Sequence, residues 1–255
     1  MMESIIIKFP KGVSYTAAQF DALQALNKEV RIKPNKKGNQ ITFHESEFPF
    51  DEVSFFHVQL PTDFVITEEQ FEEICNINDS AKLEFDDYNQ LTINMLTTAI
   101  VSAFTALIIV TILNWARTHK KGRVYGETGR YDLLDTMEKM KRRAADASYL
   151  SYESAPSALQ NQWRFVQVPP DLAIEVVSAP QSLQKEIDKM RNDWIRGGTK
   201  VGIVVNPHTQ NYYVFELGDI GYTPYSFNIP FTHYLFPSLS LSFNDLLNEA
   251  KEQGS

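Results

Sequence analysis

The stretch Pro169-Pro170-Asp171-Leu172-Ala173-Ile174-Glu175-Val176-Val177-Ser178 sets an acid in the middle of an otherwise apolar strand. The paired prolines hold the backbone extended ahead of it. A period of two then puts Asp171, Ala173, Glu175 and Val177 on one face. Ile174, Val176 and Val177 around the glutamate favour burial on both faces, as in an interior strand covered by helices. An ionised carboxylate so placed needs a cation or hydrogen-bond donors. The other possibility is an edge strand whose glutamate faces water.

Around this strand, periodicity predicts a helix over 182–196, strands at 200–205 and 211–217, and a terminal helix after Ser242, which precedes Phe-Asn-Asp-Leu-Leu as a cap. Asn206-Pro207-His208-Thr209-Gln210-Asn211 is turn-rich, so the two strands it joins form a hairpin. Upstream, the pattern gives a helix over 67–77, a hairpin over 81–94, a long helix over 97–118 and strands at 122–126 and 146–152. Helices and strands in that order describe an α/β fold, a mixed sheet flanked by helices.

The N-terminal third repeats itself. Tyr15-Thr16-Ala17-Ala18-Gln19-Phe20-Asp21-Ala22-Leu23 reads like Ile66-Thr67-Glu68-Glu69-Gln70-Phe71-Glu72-Glu73-Ile74 at an offset of 51, and Asn27 matches Asn78. Past Lys33 and Glu84 the offset falls to 50, pairing Asn39-Gln40-Ile41-Thr42-Phe43 with Asn89-Gln90-Leu91-Thr92-Ile93. Each copy reads as a short helix, capped through Thr-Xaa-Xaa-Gln, followed by a β-hairpin. Lys33 stands where the second copy has Glu84, so any chemistry at Glu84 is missing from the first copy. The expected boundary lies near Leu60-Pro61-Thr62. It gives a small α+β N-terminal module over 1–62, a degenerate repeat of 63–94, and a main domain over 63–255. Residues 1–62 carry 7 basic and 7 acidic side chains, so the net charge of −8 belongs to the larger domain.

With 255 residues, 43% of them hydrophobic and 22% charged, the chain can bury a core. Its acidic balance excludes a protein that coats nucleic acid electrostatically, so any DNA contact must be local. The lone Cys75 excludes an internal disulfide, a paired-cysteine zinc site and a redox pair. With no signal-like apolar core at the N-terminus, a cytoplasmic location is expected. Tyr88 to Ala116 runs 29 positions without a charge and is long enough to span a bilayer, with Arg117, His119, Lys120 and Lys121 as a basic flank. Against a span stand five Ser and Thr side chains between Thr97 and Thr111 and the lack of a second span. A central helix buried all round is the alternative.

Chemistry follows by elimination. Nucleophile-elbow, phosphate-loop and dinucleotide-loop spacings are missing, and His44, His57, His119, His208 and His233 show no helical pair spacing for zinc. Carboxylates remain. Besides Glu175 they are Asp146, which leads a short strand and could be only a turn residue, and Glu84, which lies in a hairpin where acids are usually solvated.

Six segments occur together in order: ITEEQFEEICNIN (66–78), KLEF with LTIN (82–85, 91–94), a long helix ending NWA (114–116), RAADASYLSYESAP (143–156), PPDLAIEVVSAPQSLQKEIDKM (169–190) and WIRGGTKVGIVVNP (194–207). Over roughly residues 65–245 the chain resembles the Uma-two family of the PD-(D/E)xK nuclease superfamily. The resemblance implies a restriction-endonuclease-like fold with a buried helix in place of a membrane span. It also implies a metal-dependent endonuclease that hydrolyses DNA phosphodiester bonds. Glu84, Asp146 and Glu175 would converge as the catalytic acids, with Asp146, Glu175 and Val176 holding Mg²⁺ or Mn²⁺. The family's lysine two residues after Glu175 is Val177 here. Lys189, 14 residues after Glu175, would supply the cation from the following helix, with Lys185 one turn earlier as the fallback. Between Lys189 and Trp194 there is one residue more than the family spacing, and Pro180 and Gln181 replace the usual Ser and Asp.

Arg117, Lys120, Lys121 and Arg123, and a second run of Lys139, Lys141, Arg142 and Arg143, would steer DNA or else form ordinary solvated faces. Trp115, Trp194 and Cys75 read as core. A homodimer is the family-level expectation. A descendant that has lost catalysis and serves nucleic-acid binding or assembly is the alternative function.

Overall fold

The computed structural model describes residues 4–35, 37–44, 55–78, 82–94, 99–134, 139–155 and 166–252. They fall into two compact units, Met1–Leu96 and Thr97–Ser255.

The first unit is built from two copies of one βαββ motif. In the first, β1 (Ser4–Lys8) leads through α1 (Ala17–Leu26) to the hairpin β2 (Arg31–Pro34) and β3 (Gln40–His44), in the order β1-β3-β2. In the second, β4 (Phe55–Gln59) leads through α2 (Glu68–Ile77) to β5 (Lys82–Asp86) and β6 (Gln90–Asn94), with β6 between β4 and β5. The helix starts are set by the sequence. Thr16 and Thr67 each accept the N–H of the glutamine three residues on at 3.2 Å, and Gln19 and Gln70 each reach back to the threonine N–H at 2.9 Å. These are paired capping boxes.

The copies also bind each other reciprocally. Asn27, which ends α1, accepts the Gln59 N–H at 2.7 Å and donates to the Gln59 carbonyl at 2.8 Å. Its counterpart Asn78, which ends α2, does the same to Lys8, accepting and donating at 2.8 Å. Each asparagine thus satisfies backbone groups on the outer strand of the other copy. Phe9 packs on Phe64 across the same seam, with ring centroids 5.6 Å apart. The boundary expected near residue 62 separates β4 from the rest of its copy, while the compact units divide after Leu96. Replacing Asn78 by alanine removes the partner of a part-buried N–H and a part-buried carbonyl of Lys8, a loss of about 1 kcal/mol for each hydrogen bond. A lowered urea midpoint is expected for Asn78→Ala and equally for Asn27→Ala. An unchanged midpoint in both would show that the seam does not depend on them.

The second unit opens with α3 (Ala99–His119), followed by β7 (Gly122–Gly126), the hairpin β8 (Arg130–Leu134) and β9 (Met140–Ala144), and β10 (Ala147–Ser151). Next come β11 (Leu172–Val176), α4 (Leu183–Lys189) continued by a π-turn over Met190–Ile195, β12 (Val201–Asn206), β13 (Asn211–Glu216), β14 (Thr223–Ser226) and α5 (Phe243–Glu252). Six strands form one sheet in the order β14-β13-β12-β11-β10-β7, in which only β11 and β12 run parallel. Leu172, Ile174 and Val176 face a core shared with α3 and α5. Ala173 and Val177 face the opposite core, with Ile187, Met190 and Trp194 from the helix and Tyr131 and Leu133 from β8. The fold is the mixed α/β arrangement that the sequence suggests.

The expectation that α3 is buried all round needs revision. Its start at residues 97–98 lies outside the described residues, and the helix is not buried all round. Only the stripe Val101, Phe104, Ile108, Ile112 and Ala116 is buried, and just 28% of its most apolar 18-residue window lies inside the protein. By length and composition this helix could cross a membrane. Thr105 and Thr111 return their hydroxyls to the helix's own carbonyls at 2.8 Å, so they carry no polar stripe that would mark an outer face.

Candidate active site

Strand pairing brings two of the sequence-selected acids together. Ala147 pairs with Ile174 in the antiparallel register of β10 and β11. One step further lies Asp146 beside Glu175, and Asp146 Oδ2 accepts the Val176 N–H at 2.7 Å. Asp146 is thus fixed to β11 as well as leading β10. Glu175 is 2% exposed on a strand with neighbours on both sides, so the water-facing edge alternative does not hold.

Its charge is met as burial demands. Lys189 Nζ lies 3.1 Å from Glu175 Oε1, with the lysine side chain only 8% exposed. The Trp194 indole N–H donates to the same oxygen at 2.7 Å. Lys189 is therefore the helix-borne cation at this carboxylate, while Lys185 one turn earlier is exposed. Val177 is fully buried in apolar packing, so the cation comes from the helix and not from the strand. Trp194 is core, as expected, but it is also a donor to the site, a role that residue type alone does not announce.

The helix is seated closely on the sheet. A Cβ built on Gly202 of β12 would lie 2.2 Å from Met190 Sδ, so a larger residue there would displace the Met190 side chain from its packing on this strand. Asp193 in the same turn is held by Lys141 Nζ and Arg143 Nε of β9, each at 2.7 Å. Burial pushes the Asp193 carboxyl up, but the Arg143 charge and the Lys141 contacts outweigh it, leaving it below the usual value. Asp171 follows the same logic at the start of β11. Burial raises it, yet Lys200, Ser154 and the Ser151 N–H, each at 2.6 Å, bring it below the usual value.

At the end of β12, Asn206 is 1% exposed, and its Oδ1 accepts the N–H groups of His208 and Thr209 at 3.0 and 3.3 Å. By register Asn206 follows Val204, which lies beside Glu175. A turn residue in the sequence thus lies buried two positions beyond the strand residue that pairs with Glu175.

The two basic runs stand in different settings. Gly122 pairs with Ser151 and Gly126 with Ala147, so Arg117, Lys120, Lys121 and Arg123 cluster toward the end of the sheet away from Asp146. Four strand residues separate the ends, about 13 Å. In the second run Lys141 and Arg143 are bound to Asp193, and Arg142 lies 3.3 Å from Asp132, so these three cations neutralise buried acids.

Glu84 stands on β5 of the first unit, 1% exposed and cross-strand from Thr92. Asp146, Glu175 and Lys189 all belong to the second. Among the described residues, no group of three or more His, Cys, Asp or Glu side chains is placed to hold a metal. What the second unit offers is two carboxylates with the backbone of Val176 between them. That donor set fits Mg²⁺ or Mn²⁺, which take one or two carboxylates and keep several waters, and it does not fit the closed nitrogen and sulfur cage of structural zinc.

The profile of the Uma2 family, described as "Putative restriction endonuclease", matches residues 68–246. Among solved structures, a crystal structure from Anabaena variabilis, described as "a putative nuclease belonging to DUF820", is similar in fold. Its TM-score is 0.55 at 18% identity, over 73% of this chain and 99% of that one. No curated protein matches the chain.

Proposed function

From the premise that the chain belongs to the Uma2 family, we propose that it is a metal-dependent endonuclease that cuts DNA phosphodiester bonds at Asp146 and Glu175. The observation that carries this reading is the pair itself: two acids 29 residues apart in sequence sit side by side on adjacent strands, with a buried lysine at one of them. Asp146 and Glu175, with the backbone at Val176, would hold Mg²⁺ or Mn²⁺. Such an ion supplies a Lewis acid for a phosphate oxygen and a bound water of lowered pKa. The protein's own part is positional. The Val176 N–H fixes the Asp146 carboxylate, while Lys189 holds a positive charge where negative charge would develop on the phosphate. A homodimer and a cytoplasmic location belong to the same proposal.

Supercoiled plasmid gives the test. With Mg²⁺ or Mn²⁺ the wild type should nick it, and Asp146→Asn should lower the rate on the order of 10²-fold or more, about 3 kcal/mol of barrier. Asparagine can still accept the Val176 N–H, so the melting temperature should hardly move. Absence of nicking by the wild type with either ion would favour the alternative, a descendant that keeps the fold for binding or assembly. The apolar Val177 at the superfamily's lysine position is the observation on that side.

A further inference from the structure

We infer that the π-turn over Met190–Ile195 is a register device that makes Trp194 a positioning residue for Glu175. This rests on the reading of Glu175 as a site acid. Lys189 and Trp194 are five residues apart, and both reach Glu175 Oε1, at 3.1 and 2.7 Å. In an α-helix five residues turn through roughly 500°, leaving two such side chains about 140° apart around the axis, too far to meet one oxygen. Within a π-turn the hydrogen bonds run from i to i+5, which brings residue i+5 back over residue i.

The bonds here are of that kind. The Arg196 N–H donates to the Arg191 carbonyl at 3.2 Å, and Met190–Ile195 as a whole runs as π-helix. The wider turn keeps Lys189 and Trp194 on the face that meets β11. Gly198, at φ +102°, ends the segment.

The indole is held firmly enough to position something else. Trp194 is fully buried, meets Tyr131 edge-on at 5.7 Å, and belongs to the core that includes Met190 and Val204. With a rigid donor and a cation on the same oxygen, Glu175 loses rotational freedom, and its carboxylate is held in one orientation beside Asp146. A donor to a ligating carboxylate typically governs metal affinity 10–100-fold.

The experiment uses the full chain labelled with ¹⁵N-tryptophan. Trp194→Phe keeps the ring packing and removes the N–H. The indole signal it identifies should shift clearly in Glu175→Gln and broaden on addition of Mn²⁺. Calorimetric Mn²⁺ affinity should fall about 10-fold in Trp194→Phe with little change in melting temperature. Deleting Asn192 returns the spacing to i+4, about 40° from alignment in an α-helix, so the folded deletion variant should keep an indole signal that responds to Glu175→Gln.

An indole signal indifferent to Glu175→Gln, Mn²⁺ affinity within twofold of wild type in Trp194→Phe, or loss of the response in a folded deletion variant would overturn the inference. If the wild type bound no Mn²⁺, the nuclease proposal would fail instead, and the response of the indole to Glu175→Gln would still decide whether Trp194 positions the acid.

Discussion

Glu175→Gln is expected to abolish metal-dependent nicking, lowering it on the order of 10³-fold or more, about 4 kcal/mol of barrier. It is also expected to weaken Mn²⁺ binding beyond detection by calorimetry. The amide keeps the shape of the side chain, and its oxygen can still accept the Trp194 N–H, so the loss would come from charge. Alanine is the less informative change. It would leave Lys189 nearly buried without its carboxylate at 3.1 Å, a penalty of about 3–5 kcal/mol that confounds chemistry with stability. The decisive comparison is therefore nicking and Mn²⁺ affinity in Glu175→Gln set against its melting curve. Full activity in the glutamine variant would remove Glu175 from the chemistry.

The second large effect is on stability. Asp193 is the common partner of Lys141 and Arg143, in a place where its side chain is 11% exposed. Asp193→Ala removes the carboxylate that these two cations share and should cost about 3–5 kcal/mol, read as a large fall in melting temperature. Because Asp193 immediately precedes Trp194 in the π-turn, activity should fall with it even below the melting transition.

The same residue predicts a pH dependence. Asp193 and Asp171 are both held below the ordinary carboxylate value of 3.8 in the folded protein. Their stabilisation is fully present above the unfolded-state value and is lost as pH falls through the lowered folded values. Thermal stability should thus be insensitive to these groups above about pH 5 and should decline steeply below it. The decline should be shallower in Asp193→Asn. Equal acid sensitivity of wild type and variant would assign the acid lability to other groups.

What the sequence shows well is what depends on neighbours along the chain. Strand β11 and the capped helices α1 and α2 follow from a short apolar run entered through paired prolines and from Thr-Xaa-Xaa-Gln, both local signals. Asp146 and Glu175 stand out because acids at the ends and middles of apolar strands need a reason. The repeat is legible from Tyr15 and Ile66 onward, where the copies share residues. It fades in the first strands, because Ser4-Ile-Ile-Ile-Lys8 and Phe55-Phe-His-Val-Gln59 share a shape and almost no identity. That is why the expected boundary falls inside the second copy.

Pairings over long distances leave no such trace. Lys141 and Arg143 reach Asp193 across about fifty residues, so a run of basic residues reads as a surface when it is an internal clamp. The π-turn shows in the sequence only as one residue too many between Lys189 and Trp194, and its meaning depends on which carboxylate the helix faces. In α3 the outer face is nearly as apolar as the buried stripe, so composition alone cannot say that only one side packs.

The most direct measurement of the central claim is a crystal of the full chain soaked in MnCl₂, with anomalous diffraction recorded at a wavelength where manganese scatters strongly. The account predicts an anomalous peak between the carboxylates of Asp146 and Glu175, lost in Glu175→Gln. Manganese bound elsewhere, or an unchanged peak in the variant, would contradict it.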